Sequence, residues 1–557
     1  MRQLIRQRLM RAIPGARRHG CGESSVLERI AESIMLSWGG KRILLAFFAG
    51  ALAVLALPPF NFFAVLFVSF PVLVWLLDGA SGPADAGMIG RLRPAFAAGW
   101  WFGFGYFVAG IWWLGNALLV EADGFAWALP LAVLGLPAIL AVFYGAATAL
   151  ARVLWSDGLG RIAALAAAFG LAEWARSFVL TGFPWNAIGY AAMPAPLMMQ
   201  SVELVGIFGL SALTVFVFSA PALVGTSRGA VAGLLTALLL LSAHVGYGWV
   251  ALSRLDASEN AATDSVIRIV QPAIDQSAKW DADERERIFS RLLELSALPP
   301  REGQPRPSHI VWPETALPFL LTENPGALSR IADMLQVGQS LISGAVRFED
   351  GTGGAPVRYY NTIYVFDDEG QIIGSADKAH LVPFGEYLPF EAWMRKLGLT
   401  PLAETLGGFS AGDRRGLLAL PGGMSAVPLI CYEAIFPALS EVPDGRGDML
   451  LNVTNDAWYG MTPGPYQHMR QAQVRSVETR LPLVRAANNG ISVVVDAGGR
   501  IVGSLPLGES GVFDVELPPR AERFWNIANR QFNFGLIIVI MVFTAYFARK
   551  GKRQPLD

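Results

Sequence analysis

Val427–Pro437 reads VPLICYEAIFP. A short apolar run, rich in residues that favour strands, stops at a cysteine and continues with Tyr432 and Glu433. Free cysteine is among the most buried residue types and often acts as a small hydrophobe. Continued burial would favour apolar neighbours, and here the next two residues are polar. Other runs in the same part of the chain end similarly. HIVWP (309–313) runs into Glu314, and MLLNVT (449–454) runs into Asn455 and Asp456. Many strands with interspersed helices suggest a layered sheet-and-helix domain, and strand ends are where such folds gather reactive groups, although the pattern alone does not bring these ends together.

Working outward, strands are expected at 266–271, 309–313, 340–346, 360–367, 426–431, 449–454, 481–487 and 492–499, and helices at 281–297, 326–337 and 465–480. Residues 252–530 therefore read as one mixed-polarity globular domain. The rest of the chain differs. Of 557 residues, 53% are hydrophobic and 16% charged, against about 25% charged in soluble chains. Apolar runs long enough to span a bilayer are expected at about 42–58, 60–77, 95–119, 125–151, 160–180, 205–225 and 229–251, with an eighth at 531–548. The expected organisation is a basic cytoplasmic arm (1–41), a seven-helix membrane domain (42–251), the globular domain (252–530), a last span (531–548) and a basic tail (549–557).

Arginine and lysine set the orientation. The first 42 residues carry Arg2, Arg6, Arg8, Arg11, Arg17, Arg18, Arg29, Lys41 and Arg42. Placing them in the cytoplasm also puts Arg91 with Arg93, Arg152 with Arg161, Arg228 and the tail inside, and VEADG (120–124) outside. The globular domain then lies on the outer side, with both termini cytoplasmic. Glu173 and Glu203 are the main charges within the apolar half, and such groups are functional candidates by default. The net charge of −1 gives no basic field for nucleic acid. The two cysteines, Cys21 and Cys431, form no disulfide framework. The five histidines are scattered without metal-ligand spacing, and no cofactor is expected.

A thiol of ordinary pKa is a few per cent thiolate near neutrality, so a nucleophilic Cys431 needs a base or a nearby cation. His380 and His468 are the histidine candidates, and a carboxylate with a lysine would serve equally well. Three motifs, VWPETALP (311–318), DKAHLVPFGEYLP (377–389) and ICYEAIFP (430–437), occur in order. They resemble the signatures of the nitrilase, or carbon-nitrogen hydrolase, superfamily. With eight spans around such a domain, the chain resembles that superfamily's membrane-embedded branch, the apolipoprotein N-acyltransferase family.

The resemblance implies an α/β fold: a multi-span helical membrane domain plus an αββα sandwich. It implies a catalytic triad of Glu314, Lys378 and Cys431, with Glu314 as general base and Lys378 beside the thiolate and the developing oxyanion. Glu386 would orient Lys378. Tyr432, Glu433 and Trp280 would support the site or bind substrate, and the Tyr432 N–H would complete the oxyanion site. The loops 383–398 and 399–413 would admit lipid beside the membrane. The implied partners are a phospholipid acyl donor, diacylglyceryl-modified apolipoproteins as acceptors and the bacterial inner-membrane bilayer, with the enzyme a monomer. The rival readings are a membrane-tethered amidohydrolase with the same triad and a transporter with an inert thiol.

Overall fold

The computed structural model describes residues 25–550 except 84, 121–124, 225, 227–228, 258–264, 280, 352–356, 390–395, 397–407, 444 and 524. Trp280, Arg228, most of the 120–124 loop, the centre of the 383–413 region and the ends of both basic termini lie outside the described residues.

The globular part is two six-stranded sheets packed face to face. The first contains β1 (Val266–Gln271), β2 (His309–Val311), β3 (Ser340–Glu349), β4 (Arg358–Phe366), β5 (Ile372–Asp377) and β12 (Gly511–Glu516), in the order β12-β1-β2-β3-β4-β5. The second contains β6 (Leu418–Ala419), β7 (Ser425–Ile430), β8 (Met449–Thr454), β9 (Leu483–Ala487), β10 (Ser492–Val495) and β11 (Ile501–Leu505), in the order β11-β10-β9-β8-β7-β6. Each sheet has three parallel central strands, β1–β2–β3 and β7–β8–β9, flanked by antiparallel ones. The central strands are apolar on both faces because both are covered. Ile267, Ile269, Val311 and Ile342 meet Ile430, Leu451, Val453 and Val484 between the sheets. Helices Arg285–Ser296 and Pro325–Met334 cover the outside of the first sheet through Ile288, Leu292 and Ile331. Helix Pro463–Thr479 lies outside the second. The result is the expected αββα sandwich.

The sequence expectation omits β5, β6, β11 and β12. Two of them, IIGSAD and IVGSL, are interrupted by glycine and exposed along much of their length, so they lack the apolar signal of a covered strand. The three predicted helices match to within a few residues.

Among the described residues, six helical stretches are long and apolar enough to span a bilayer: Gly39–Ala56, Met88–Val120, Ala126–Val153, Val202–Leu223, Ala230–Ala257 and Ile527–Lys550. The other two predicted spans correspond to the shorter Phe63–Asp78 and to Leu159–Arg176. The latter is surrounded by Leu136–Val153, Val202–Ser219 and Ile527–Lys550, and its alanine-rich, Arg- and Glu-bearing sequence suits protein neighbours better than lipid. Length and composition alone thus single out six of the eight expected spans. The arm is not featureless: Val26–Met35 is a helix capped by Ser25 and Glu28 in a reciprocal box.

The bundle meets the sandwich through Pro463–Thr479, a helix buried almost end to end although much of it is polar. Gln467 Oε1 accepts from Trp113 (3.2 Å), Trp185 (3.0 Å) and Asn186 (3.0 Å) of the bundle. Arg480, at the end of that helix, pairs with Glu203 at 2.5 Å. Glu173 accepts from Tyr144 at 2.7 Å and pairs with Arg176, which donates to the carbonyls of Phe183 and Trp185. Both glutamates of the apolar half are therefore ion-paired staples: Glu203 fastens the sandwich to the bundle, and Glu173 fixes the loop that meets the sandwich.

Candidate active site

Strand ends bring the predicted residues together. Glu314 follows β2 after Trp312 and Pro313, Lys378 directly follows β5, and Cys431 directly follows β7. All three side chains are buried. Lys378 Nζ lies 2.8 Å from Glu386 Oε1 and 3.6 Å from Glu314 Oε1. Asn361 Nδ2, on β4, donates to both carboxylates, at 2.7 Å to Glu314 and 3.1 Å to Glu386. Glu386 also accepts from the Val382 N–H at 2.8 Å, so it holds the lysine and its own loop together. Burial alone would lower the lysine's pKa. The charges of Glu386 and Glu314 outweigh it and hold Lys378 above the ordinary lysine range. The site therefore carries a permanent ammonium.

Cys431 sits at the turn from β7 into the single 3-10 turn Cys431–Ile435, with φ at 50°. Non-glycine residues rarely occupy this left-handed region, and a nucleophile held on such a turn is a recurrent device in hydrolytic enzymes. The Thr454 hydroxyl, at the end of β8, donates to Asp456 at 3.0 Å. Burial and the Glu314 carboxylate push the thiol up to about 12, against the pull of Lys378. The sulfur thus rests protonated, and its anion forms only when a base removes the proton.

Neither histidine pairs with the sulfur. His468 Nε2 contacts the Cys431 carbonyl at 3.1 Å, and its Nδ1 contacts Asp456 at 2.8 Å. Asp456 also accepts from Arg485 at 2.6 Å. This buried trio supports the backbone under the thiol. His380 lies against Tyr432 and Phe436, with ring centroids 5.9 and 4.2 Å away.

Glu433 accepts from the N–H groups of Ala379 (2.9 Å), His380 (3.0 Å) and Ile430 (2.8 Å), tying the lysine loop to the cysteine turn. Tyr432 donates to the Gly182 carbonyl at 2.9 Å, so the residue after the thiol is docked on a loop of the bundle. Sequence reasoning marked Asp456 as a strand-end residue but missed its partner Arg485, and it missed Asn361, Thr454 and Lys279. Lys279 Nζ donates to the Glu314 carbonyl (3.0 Å) and the Thr315 hydroxyl (2.6 Å). A lone lysine in a polar loop carries no sequence mark of such burial.

Two family models match the chain. One, described as carbon-nitrogen hydrolase, covers residues 267–526. The other, the apolipoprotein N-acyltransferase N-terminal domain, covers 49–220. A relative from Rhizobium etli named apolipoprotein N-acyltransferase is 58% identical, covering 94% of this chain and 99% of its own. A relative of the same name from Brucella suis is 58% identical over 90% and 94% of the two chains. A solved carbon-nitrogen hydrolase from Helicobacter pylori is 16% identical, with a TM-score of 0.33, over 45% of this chain and 89% of its own.

Proposed function

This chain belongs to the apolipoprotein N-acyltransferase family, and on that premise we propose a two-step acyl transfer carried by Cys431. In the first step Glu314 takes the thiol proton, and the sulfur attacks the carbonyl of a phospholipid ester. The oxyanion of the tetrahedral intermediate faces the Lys378 ammonium and the N–H of Tyr432. Collapse breaks the ester C–O bond. Glu314 returns the proton to the departing alkoxide, releasing lysophospholipid and leaving a thioester.

In the second step the α-amine of an N-terminal diacylglyceryl-cysteine attacks the thioester. Glu314 accepts the amine proton, the C–S bond breaks, and the proton returns to sulfur. The products are an amide on the lipoprotein and free enzyme. A buried site favours amine over water as the second nucleophile. Glu386, Tyr432, Glu433 and Trp280 support these steps.

The domain limits and orientation follow the sequence expectation, with 252–530 periplasmic and both termini cytoplasmic. The helix Ala230–Ala257 leads into β1 and the helix Ile527–Lys550 follows β12, so both deliver the sandwich to one end of the bundle. The donor is a membrane phospholipid, the acceptor a diacylglyceryl apolipoprotein, and the enzyme acts as a monomer.

The observation that carries this reading is the convergence of a buried, strained thiol with a carboxylate and a paired ammonium at strand ends of the two facing sheets. Incubating the purified protein with phospholipid should add one acyl mass to the peptide containing Cys431. Cys431→Ala should abolish the adduct, and Glu314→Gln should slow its formation by about 10²–10⁴-fold. Turnover of a soluble amide without any adduct would replace this reading with the amidohydrolase.

A further inference from the structure

Loop 272–279 leaves β1 and crosses the mouth of the sandwich. One end is tied to the second sheet. Asn488, just after β9, accepts from the Ile274 N–H at 3.1 Å and donates to its carbonyl at 2.9 Å. Asn455, just after β8, donates to Gln276 at 2.5 Å and accepts from Asn488 at 3.0 Å. The other end is tied to the first sheet by Lys279, through the Glu314 carbonyl and the Thr315 hydroxyl.

Thr315 is β-branched and sits at φ 43°, where such residues are outliers that persist only when their surroundings hold them. Lys279 is 3% exposed, yet both acceptors of its hydrogen bonds are neutral. Burying an ammonium without a carboxylate ligand is costly, and burial lowers this one to about 8 despite the nearby Glu314 charge. A shorter or apolar side chain would fill the space more cheaply but could not make both bonds.

We propose that Lys279 is a positioning residue: by fastening the Glu314–Thr315 turn of one sheet to a loop anchored on the other, it sets where the Glu314 carboxylate stands relative to the Cys431 sulfur. The proposal rests on Glu314 acting as the base.

The test uses the full chain in detergent, with two readouts: single-turnover thioester formation from phospholipid, and the pH dependence of Cys431 alkylation by iodoacetamide. Lys279→Met should slow thioester formation at least tenfold and displace the alkylation curve to higher pH. Lys279→Arg should recover part of the rate. Thr315→Val should lose a few-fold, with no further loss when combined with Lys279→Met. Wild-type rate and alkylation curve in Lys279→Met would overturn the proposal, as would losses that multiply in the double variant. Should Lys279→Met fail to accumulate, an unchanged rate in Thr315→Val overturns it alone. Glu314→Gln separates the premise. If Glu314→Gln leaves the alkylation curve in place, the base assignment fails. If Glu314→Gln shifts it and Lys279→Met does not, only the role of Lys279 fails.

Discussion

At the scale of single residues, the thiol and the groups beneath it titrate in opposite directions. Cys431 is driven up by burial, so its neutral form suits the fold and its anion is made on demand. Asp456 is driven down to about 2: burial opposes its charge, but Arg485 and His468 more than compensate. An aspartate lowered from 3.8 to about 2 contributes stability that is fully present above pH 4 and is lost as pH falls through 2, roughly 2 kcal/mol in all. Asp456→Asn leaves Arg485 buried beside an uncharged partner and should cost about 3–5 kcal/mol near neutrality. Unfolding midpoints measured from pH 6 to 2 should show the gap between wild type and variant narrowing only below pH 4. Glu314 and Cys431 close readable strands, whereas Lys378 closes β5, which gave no strand signal, and was exposed by its motif alone. Asn361, Lys279 and Arg485 were hidden because an interior polar residue looks like a surface one until its partners are known.

At the scale of elements, the turn after β2 depends on a glycine in the neighbouring strand. A Cβ on Gly344 would come within 2.5 Å of the Pro313 carbonyl and the Thr315 N, and within 2.6 Å of the Glu314 Cα. These are backbone atoms and cannot swing aside. Gly344→Ala should therefore displace Glu314, with thioester formation falling by about tenfold or more, since small misplacements of a reacting group are expensive. Quantifying the acyl adduct against time checks this, and an unchanged rate would mean that the turn yields without consequence. The strands around this turn were legible because they are covered on both faces and read as unbroken apolar runs. β5 and β11 were not, because glycine interrupts them and they are exposed along much of their length, and β12 was not, because it is only partly buried and pairs with β1 at the far end of the domain. Leu159–Arg176 was legible as an apolar run, but its packing among three neighbouring helices was not, because hydropathy alone does not separate burial within protein from burial in lipid.

At the scale of the whole molecule, bundle and sandwich are fastened by buried polar contacts. Glu203 accepts two bonds from Arg480, at 2.9 and 2.5 Å. Glu203→Ala would leave that guanidinium buried with only neutral acceptors, Gln200 and the Ala497 carbonyl. The expected cost is about 3–5 kcal/mol, seen as earlier thermal unfolding and easier proteolysis between the two halves. A wild-type melting curve would show the pair to be dispensable. The helix Pro463–Thr479 belongs to both halves at once: one side completes the sandwich while another inserts Gln467 among the indoles of the bundle. A chimera that grafts the sandwich of a water-soluble amidase onto this bundle would bring a helix whose outer side was shaped for water. It would have to be redesigned at that helix before any lipid could reach the sulfur.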